Sequence, residues 1–163
     1  MSFFRRKSVL WLLGISPVIV GAMFFRANSE SLVSRDSFRP YDFNRDPWLT
    51  SFKNKYQKAL ARKEPWVADP IAIALRVAGF PNSDGTTPNE IYAYYQTQTK
   101  MTAIVRSFGL EDDSVSAEEI KVDLVYRSQR WEIDWAGGRW KCQSGRGAFP
   151  ALELGGWQNT LCS

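Results

Sequence analysis

The apolar positions of this chain follow three different rhythms. Ser8 to Phe25, SVLWLLGISPVIVGAMFF, is an eighteen-residue run without a charge. Helical spacing comes next. Trp48, Phe52, Tyr56 and Leu60, flanked by Leu49 and Ala59, form a stripe at intervals of four, and Asp46-Pro47 ahead of them supplies an N-cap and a first-turn proline. A second helix is predicted from Asp69-Pro70 through IAIALRVAG, with Ile71, Leu75 and Ala78 on one face. Gly79 fits the residue beyond its C-cap, and Pro81 blocks its continuation. Thr87 to Glu90 has the form of a capping box, yet IYAYYQTQT is built from residues that favour strands. For Ile91 to Gln98, helix turn and strand both remain open.

From Lys100 the period drops to two. KMTAIVRSFGL reads as a strand that ends at the acidic turn Glu111 to Ser114. EIKVDLVY sets Ile120, Val122, Leu124 and Tyr126 against Lys121 and Asp123, and RWEIDW sets Trp131, Ile133 and Trp135 against Glu132 and Asp134. A Ser128-Gln129 turn between them pairs Tyr126 with Trp131, Leu124 with Ile133 and Val122 with Trp135, so that every apolar partner lies on one face. Gly137-Gly138 is the expected second turn, bringing Trp135 opposite Trp140, Asp134 opposite Lys141 and Ile133 opposite Cys142. The tryptophans of this meander are expected as core beneath the two helices.

Composition adds a compartment. Of 21 basic residues, Arg5, Arg6 and Lys7 precede the apolar run, and all 17 acids follow it. The formal charge of +4 is thus concentrated before the run, which removes the case for nucleic acid and predicts a cytoplasmic N-terminus by the positive-inside rule. Residues 1–7 are read as a cytoplasmic basic segment, 8–25 as a transmembrane helix, 26–45 as a linker and 46–163 as the exported domain. The alternative is a cleaved secretory signal, for which Val20-Gly21-Ala22 offers the small residues, although Met23-Phe24-Phe25 carries the apolar run past it. In an exported chain the two cysteines, Cys142 and Cys162, are read as a disulfide. A chain without histidine and with two thiols does not complete a zinc site.

GLEDDSV (Gly109 to Val115), RWEIDWAG (Arg130 to Gly137), RWKCQSGRG (Arg139 to Gly147) and the terminal Trp157 and Cys162 together resemble a family of small exported proteins common in cyanobacteria. The resemblance covers about the last third of the chain. It implies location, architecture and the Cys142–Cys162 pairing, and carries no assigned activity. The chain departs from the family pattern after Gly147, where AFPALELGG intervenes before the tryptophan.

Candidate chemistry is sparse. Arg146, between two glycines, would expose a guanidinium suited to an anion or carboxylate, against the alternative of a solvated turn. Glu111, Asp112 and Asp113 lack the alternating ligands of an EF-hand and fit an Asx turn. Asp123 and Asp134 face each other in the expected register, on the polar side of the sheet, with Lys141 to relieve them. Lys53, Lys55, Lys58, Arg62 and Lys63 give the first helix a basic face, either solvated or laid on anionic headgroups. No nucleophile stands in a recognisable catalytic setting.

The expectation is therefore an α+β protein: a transmembrane helix, then two helices on a three- or four-stranded antiparallel sheet, cystatin-like or NTF2-like, with a disulfide-tied C-terminal loop. Its expected function is non-catalytic. The leading reading is a membrane-anchored interaction module in the periplasm or thylakoid lumen, bound to lipid through its N-terminal helix and to a protein partner, without cofactor or metal. The runner-up is an exported small-molecule or glycan binder whose pocket between helices and sheet is lined by Tyr92, Tyr94, Trp131 or Trp140, with Arg146 as a further contact. An exported enzyme of unknown type comes third.

Overall fold

Apolar residues at helical spacing need a sheet to cover, and here they cover it from one side only. The computed structural model describes residues 33–81, 85, 87–146 and 156–162. They form an α+β domain: β1 (Arg39–Pro40), α1 (Pro47–Ala61), α2 (Pro70–Val77), β2 (Glu90–Thr97), β3 (Lys100–Phe108), β4 (Val115–Arg127) and β5 (Arg130–Cys142). The strands make one antiparallel sheet in the order β1-β5-β4-β3-β2. No helix among the described residues is long and apolar enough to cross a membrane; the segment expected to do so, 8–25, lies outside them.

The sheet has five strands where three or four were expected, for two reasons. Ile91 to Gln98 follows its β-branched and aromatic content and becomes most of β2, its edge left open by the absence of a sixth neighbour in the described residues. β1 comes from the stretch read as linker: Arg39 and Pro40 pair with Gly138 and Gly137, and the Tyr41 N–H donates to Ala136. Phe38 beside them is fully buried. The domain thus begins well before residue 46.

Both helices sit on the same sheet face, with their stripes turned from the predicted orientation. α1 buries Leu49, Phe52, Tyr56 and Ala59 and leaves Trp48 exposed; α2 buries Ile73, Ala74 and Val77, whereas Ile71, Leu75 and Ala78 are only half-buried. Their sheet partners are Met101, Ala103, Ile120, Val122, Leu124, Trp131 and Ala136. Asp69 caps α2 by accepting from the Ile71 N–H at 2.9 Å. Asp46 does not cap α1; its carboxylate takes the Asp42 N–H at 2.9 Å and closes the preceding turn.

The β4–β5 hairpin turns at Ser128 and Gln129, both at positive φ (49° and 64°), with Tyr126 opposite Trp131 and Leu124 opposite Ile133 as expected. Beyond that the expected register fails. Asp134 is an extra residue, so that Asp123 faces Trp135 and Val122 faces Ala136. A bulge of one residue reverses which face each later side chain occupies. Trp135 therefore leaves the helix side and meets Phe38 edge-on at 6.2 Å on the other side. Gly137-Gly138 makes no turn. It lies inside β5, opposite Lys121 and Ile120, and Lys141 pairs with Ala117. These glycines serve a close approach: a Cβ on Gly137 would stand 2.7 Å from the Arg39 carbonyl oxygen, and one on Gly138 would strike the Tyr41 ring.

Cys142 and Cys162 form the expected disulfide, with Cα atoms 5.5 Å apart. It holds the C-terminal strap along β5, where Gln158 exchanges two 2.8 Å backbone hydrogen bonds with Trp140. Closing a loop of twenty residues stabilises the fold by about 3 kcal/mol, through restriction of the unfolded chain.

Ser128 and Gln129 occupy a left-handed region that costs most side chains about 1 kcal/mol each. Replacing the pair by Asn-Gly, the sequence this turn geometry favours, should raise stability by about 1 kcal/mol in chemical denaturation, with an unchanged denaturant slope.

Candidate functional site

Several polar positions of the strands do not face water. Glu119, in the middle of β4, is fully buried, and its two carboxylate oxygens are held from neighbouring strands: Arg106 Nε at 2.9 Å and Arg139 Nη2 at 2.7 Å. Arg106 extends the ladder to Glu90 at 2.8 Å, and the Tyr92 hydroxyl donates to the same Glu90 oxygen. Alternating charge thus crosses β2, β3, β4 and β5. Phe38 and Trp157 close over Arg139, their ring centres 4.7 and 5.1 Å from the guanidinium carbon. Arg139 Nε lies buried without a hydrogen-bond partner among the described residues, and the aromatic rings are its nearest compensation.

A second row lies beside the first. Arg35 donates to Asp123 at 2.6 Å and to Asp134 at 2.9 Å; Thr102 donates to Asp123, and Gln96 to Thr102. Asp123 and Asp134 therefore do not face each other as expected; an arginine from the N-terminal segment bridges them, and Lys141 instead lies over Trp157. The Lys121 ammonium donates to the Val33 carbonyl at 2.6 Å, and burial pulls its pKa down. The Asn159 amide donates to the Asp36 carbonyl at 3.2 Å, tying the segment before β1 to the C-terminal strap.

The residues expected to bind are distributed rather than convergent. Trp131 is in the core and Trp140 is buried further along β5, its indole N–H on Glu118 at 3.0 Å. Tyr92 and Tyr94 share the opposite sheet face, by strand alternation with Ala93 in the core. Arg146 is exposed on the turn after β5, where its N–H donates to the Gln143 carbonyl; Gly147 lies outside the described residues. Asp112 forms an Asx turn, accepting from the Ser114 hydroxyl and N–H and from the Val115 N–H, and these bonds lower its pKa. No group of three or more metal-ligating side chains occurs among the described residues.

The cleft that does open between helix and sheet lies along α1 and β5, with a volume of about 510 Å³. Tyr41, Phe43, Tyr56, Leu60 and Ile133 give it apolar walls; exposed Lys53 and Arg130 give it charge. The Tyr56 hydroxyl donates to the Trp131 carbonyl at its floor. Pattern reading missed this wall because Tyr41 and Phe43 fall in the stretch taken for linker. Three aromatics, Phe38, Tyr41 and Phe43, within six residues were the available signal. Comparison with family models, with curated proteins and with solved structures finds no match to this chain.

At the far end of the same sheet face, burial raises the pKa of Glu118, and the Trp140 indole bond only partly offsets it. Burial and the Glu118 charge together raise that of Tyr41. A carboxyl with an elevated folded pKa stabilises the fold fully below the ordinary range near 4.3, and that contribution is lost as pH rises through the folded value. Glu118→Gln keeps an acceptor for Trp140. Its melting temperature should match the parent below about pH 4 and exceed it at neutral pH, in a thermal melt taken across that range.

Proposed function

We propose that this chain is a membrane-anchored extracytoplasmic interaction module. Residues 8–25 hold it in the membrane, 1–7 stay in the cytoplasm, and the domain stands in the periplasm or thylakoid lumen as an accessory or assembly subunit of an envelope or thylakoid complex. The observation that carries this reading is that both ends of the described chain are fastened on one sheet face. Val33 and Phe38 lie over Lys121 and Arg139, and Trp157 lies over Arg139, while α1 and α2 cover the opposite face. A tether entering at Val33 leaves the helix layer turned outward, free for a partner. The disulfide suits an oxidising compartment, and the same reading assigns the chain to the exported family whose motifs it resembles. No catalytic activity is part of it.

The second reading, an exported binder of a small molecule or glycan, draws on the α1–β5 cleft. Aromatic walls beside a few exposed charges are the usual make-up of a ligand site. The helix-on-sheet arrangement is then taken as cystatin-like or NTF2-like, with the ligand between α1 and the sheet.

Intact mass of the protein extracted from its own cells without reductant separates the two. The module reading expects the full-length chain in the membrane fraction, lighter by two hydrogens, and a discrete protein adduct from a photo-crosslinker at Ser51 on α1. A soluble chain beginning near Met23, with no adduct from Ser51, would favour the binder.

A further inference from the structure

A second groove, of about 610 Å³, lies on the outer side of the helix layer between α1, the 3₁₀ turn Pro65–Ala68 and α2. One wall is α1, which contains no acidic residue and presents Lys55 and Lys58, followed by Arg62. The other wall is α2, from which Arg76 lays its guanidinium 4.3 Å over the Trp66 ring. Trp66 is itself fixed, its indole N–H bound to Glu64 at 2.8 Å. Glu64 is the groove's one acid among these residues, and it stands 3.9 Å from Arg62. Four cations therefore face a floor of Phe52, Trp66 and Phe80 with only one internal counter-charge.

We infer that this groove binds an acidic, extended peptide segment of a partner protein, an inference that rests on the module reading and names its partner's chemistry. Lys55, Lys58 and Arg62 run about 10 Å along the helix axis, at 1.5 Å per residue. Carboxylates at alternate positions of an extended chain recur about every 7 Å, so two of them meet such a row where a single compact anion meets one member. Apolar side chains between them find the aromatic floor, and Arg76, held flat on Trp66, offers a carboxylate a positioned fork of donors. A lipid surface fits less well: Val33, the described residue nearest the apolar run, lies on the opposite sheet face.

The test uses the full chain in nanodiscs of zwitterionic lipid and a fluorescein-labelled peptide of alternating Glu and Phe, read by anisotropy. Saturable binding that weakens with added salt is expected. The exposed pair Lys55→Glu and Lys58→Glu should reduce affinity about tenfold or more, and Lys100→Glu with Arg127→Glu, at the hairpin end of the sheet, should leave it unchanged. Equal losses from both pairs would reduce the effect to net charge and overturn the site, as would absence of binding. Capture of phosphatidylglycerol vesicles, lost with Lys55→Glu and Lys58→Glu and without peptide binding, would overturn it in favour of a lipid surface. Because the mass experiment reads the tether and this one reads the groove, either idea can fail alone.

Discussion

Glu119 is the constraint on which the rest of the structure depends. A fully buried carboxylate is tolerable only when its charge is matched and its oxygens are bonded. Arg106 and Arg139 meet both conditions, and each must then be sheltered in turn. Arg106 is shared with Glu90 and Tyr92; Arg139 is enclosed by Phe38 and Trp157. One buried acid thus draws residues 33–38 and 156–162 onto the sheet. The disulfide and the Trp140–Gln158 bridge keep the second segment there; the Arg35 pairs and the Lys121–Val33 bond keep the first.

This closure decides which surface remains available. With one sheet face partly covered by residues 33–38 and 156–162, the helix layer offers the larger open surface, and α1 divides it into two grooves of different character. The cleft toward β5 is aromatic with mixed charge, while the groove toward α2 is aromatic with excess positive charge. Burial of α1's opposite stripe, Leu49, Phe52, Tyr56 and Ala59, fixes the helix rigidly enough to hold both shapes.

The fold was legible where local pattern and tertiary environment agreed. The α1 and α2 starts, β3 and the Ser128-Gln129 turn follow from spacing and turn chemistry, and the disulfide from two cysteines in a chain read as exported. The register beyond Ile133 was not, because alternation of Trp131, Ile133 and Trp135 with acids looks the same whether or not Asp134 is a bulge. The Gly137-Gly138 pair misled for a related reason. Glycine marks a turn or a close approach equally well, and here Tyr41 and the Arg39 carbonyl require the second. The polar alternation of β4 suggested a wet face; what covers it comes from residues 33–41 and 156–162, segments with no periodicity of their own. The candidate site was less legible than the fold. Its walls join α1 to residues far away in sequence, and the five residues singled out for binding are spread over both sheet faces and the turn after β5.

Phe38, before β1, and Trp157, in the C-terminal strap, jointly enclose Arg139. A double-mutant cycle of Phe38→Ala and Trp157→Ala, measured by chemical denaturation of the oxidised chain, tests this most directly. The predicted result is non-additivity of about 1 kcal/mol or more, since both rings cover one guanidinium. Additive losses would mean that the two segments pack independently, and would contradict a covered face organised around Glu119.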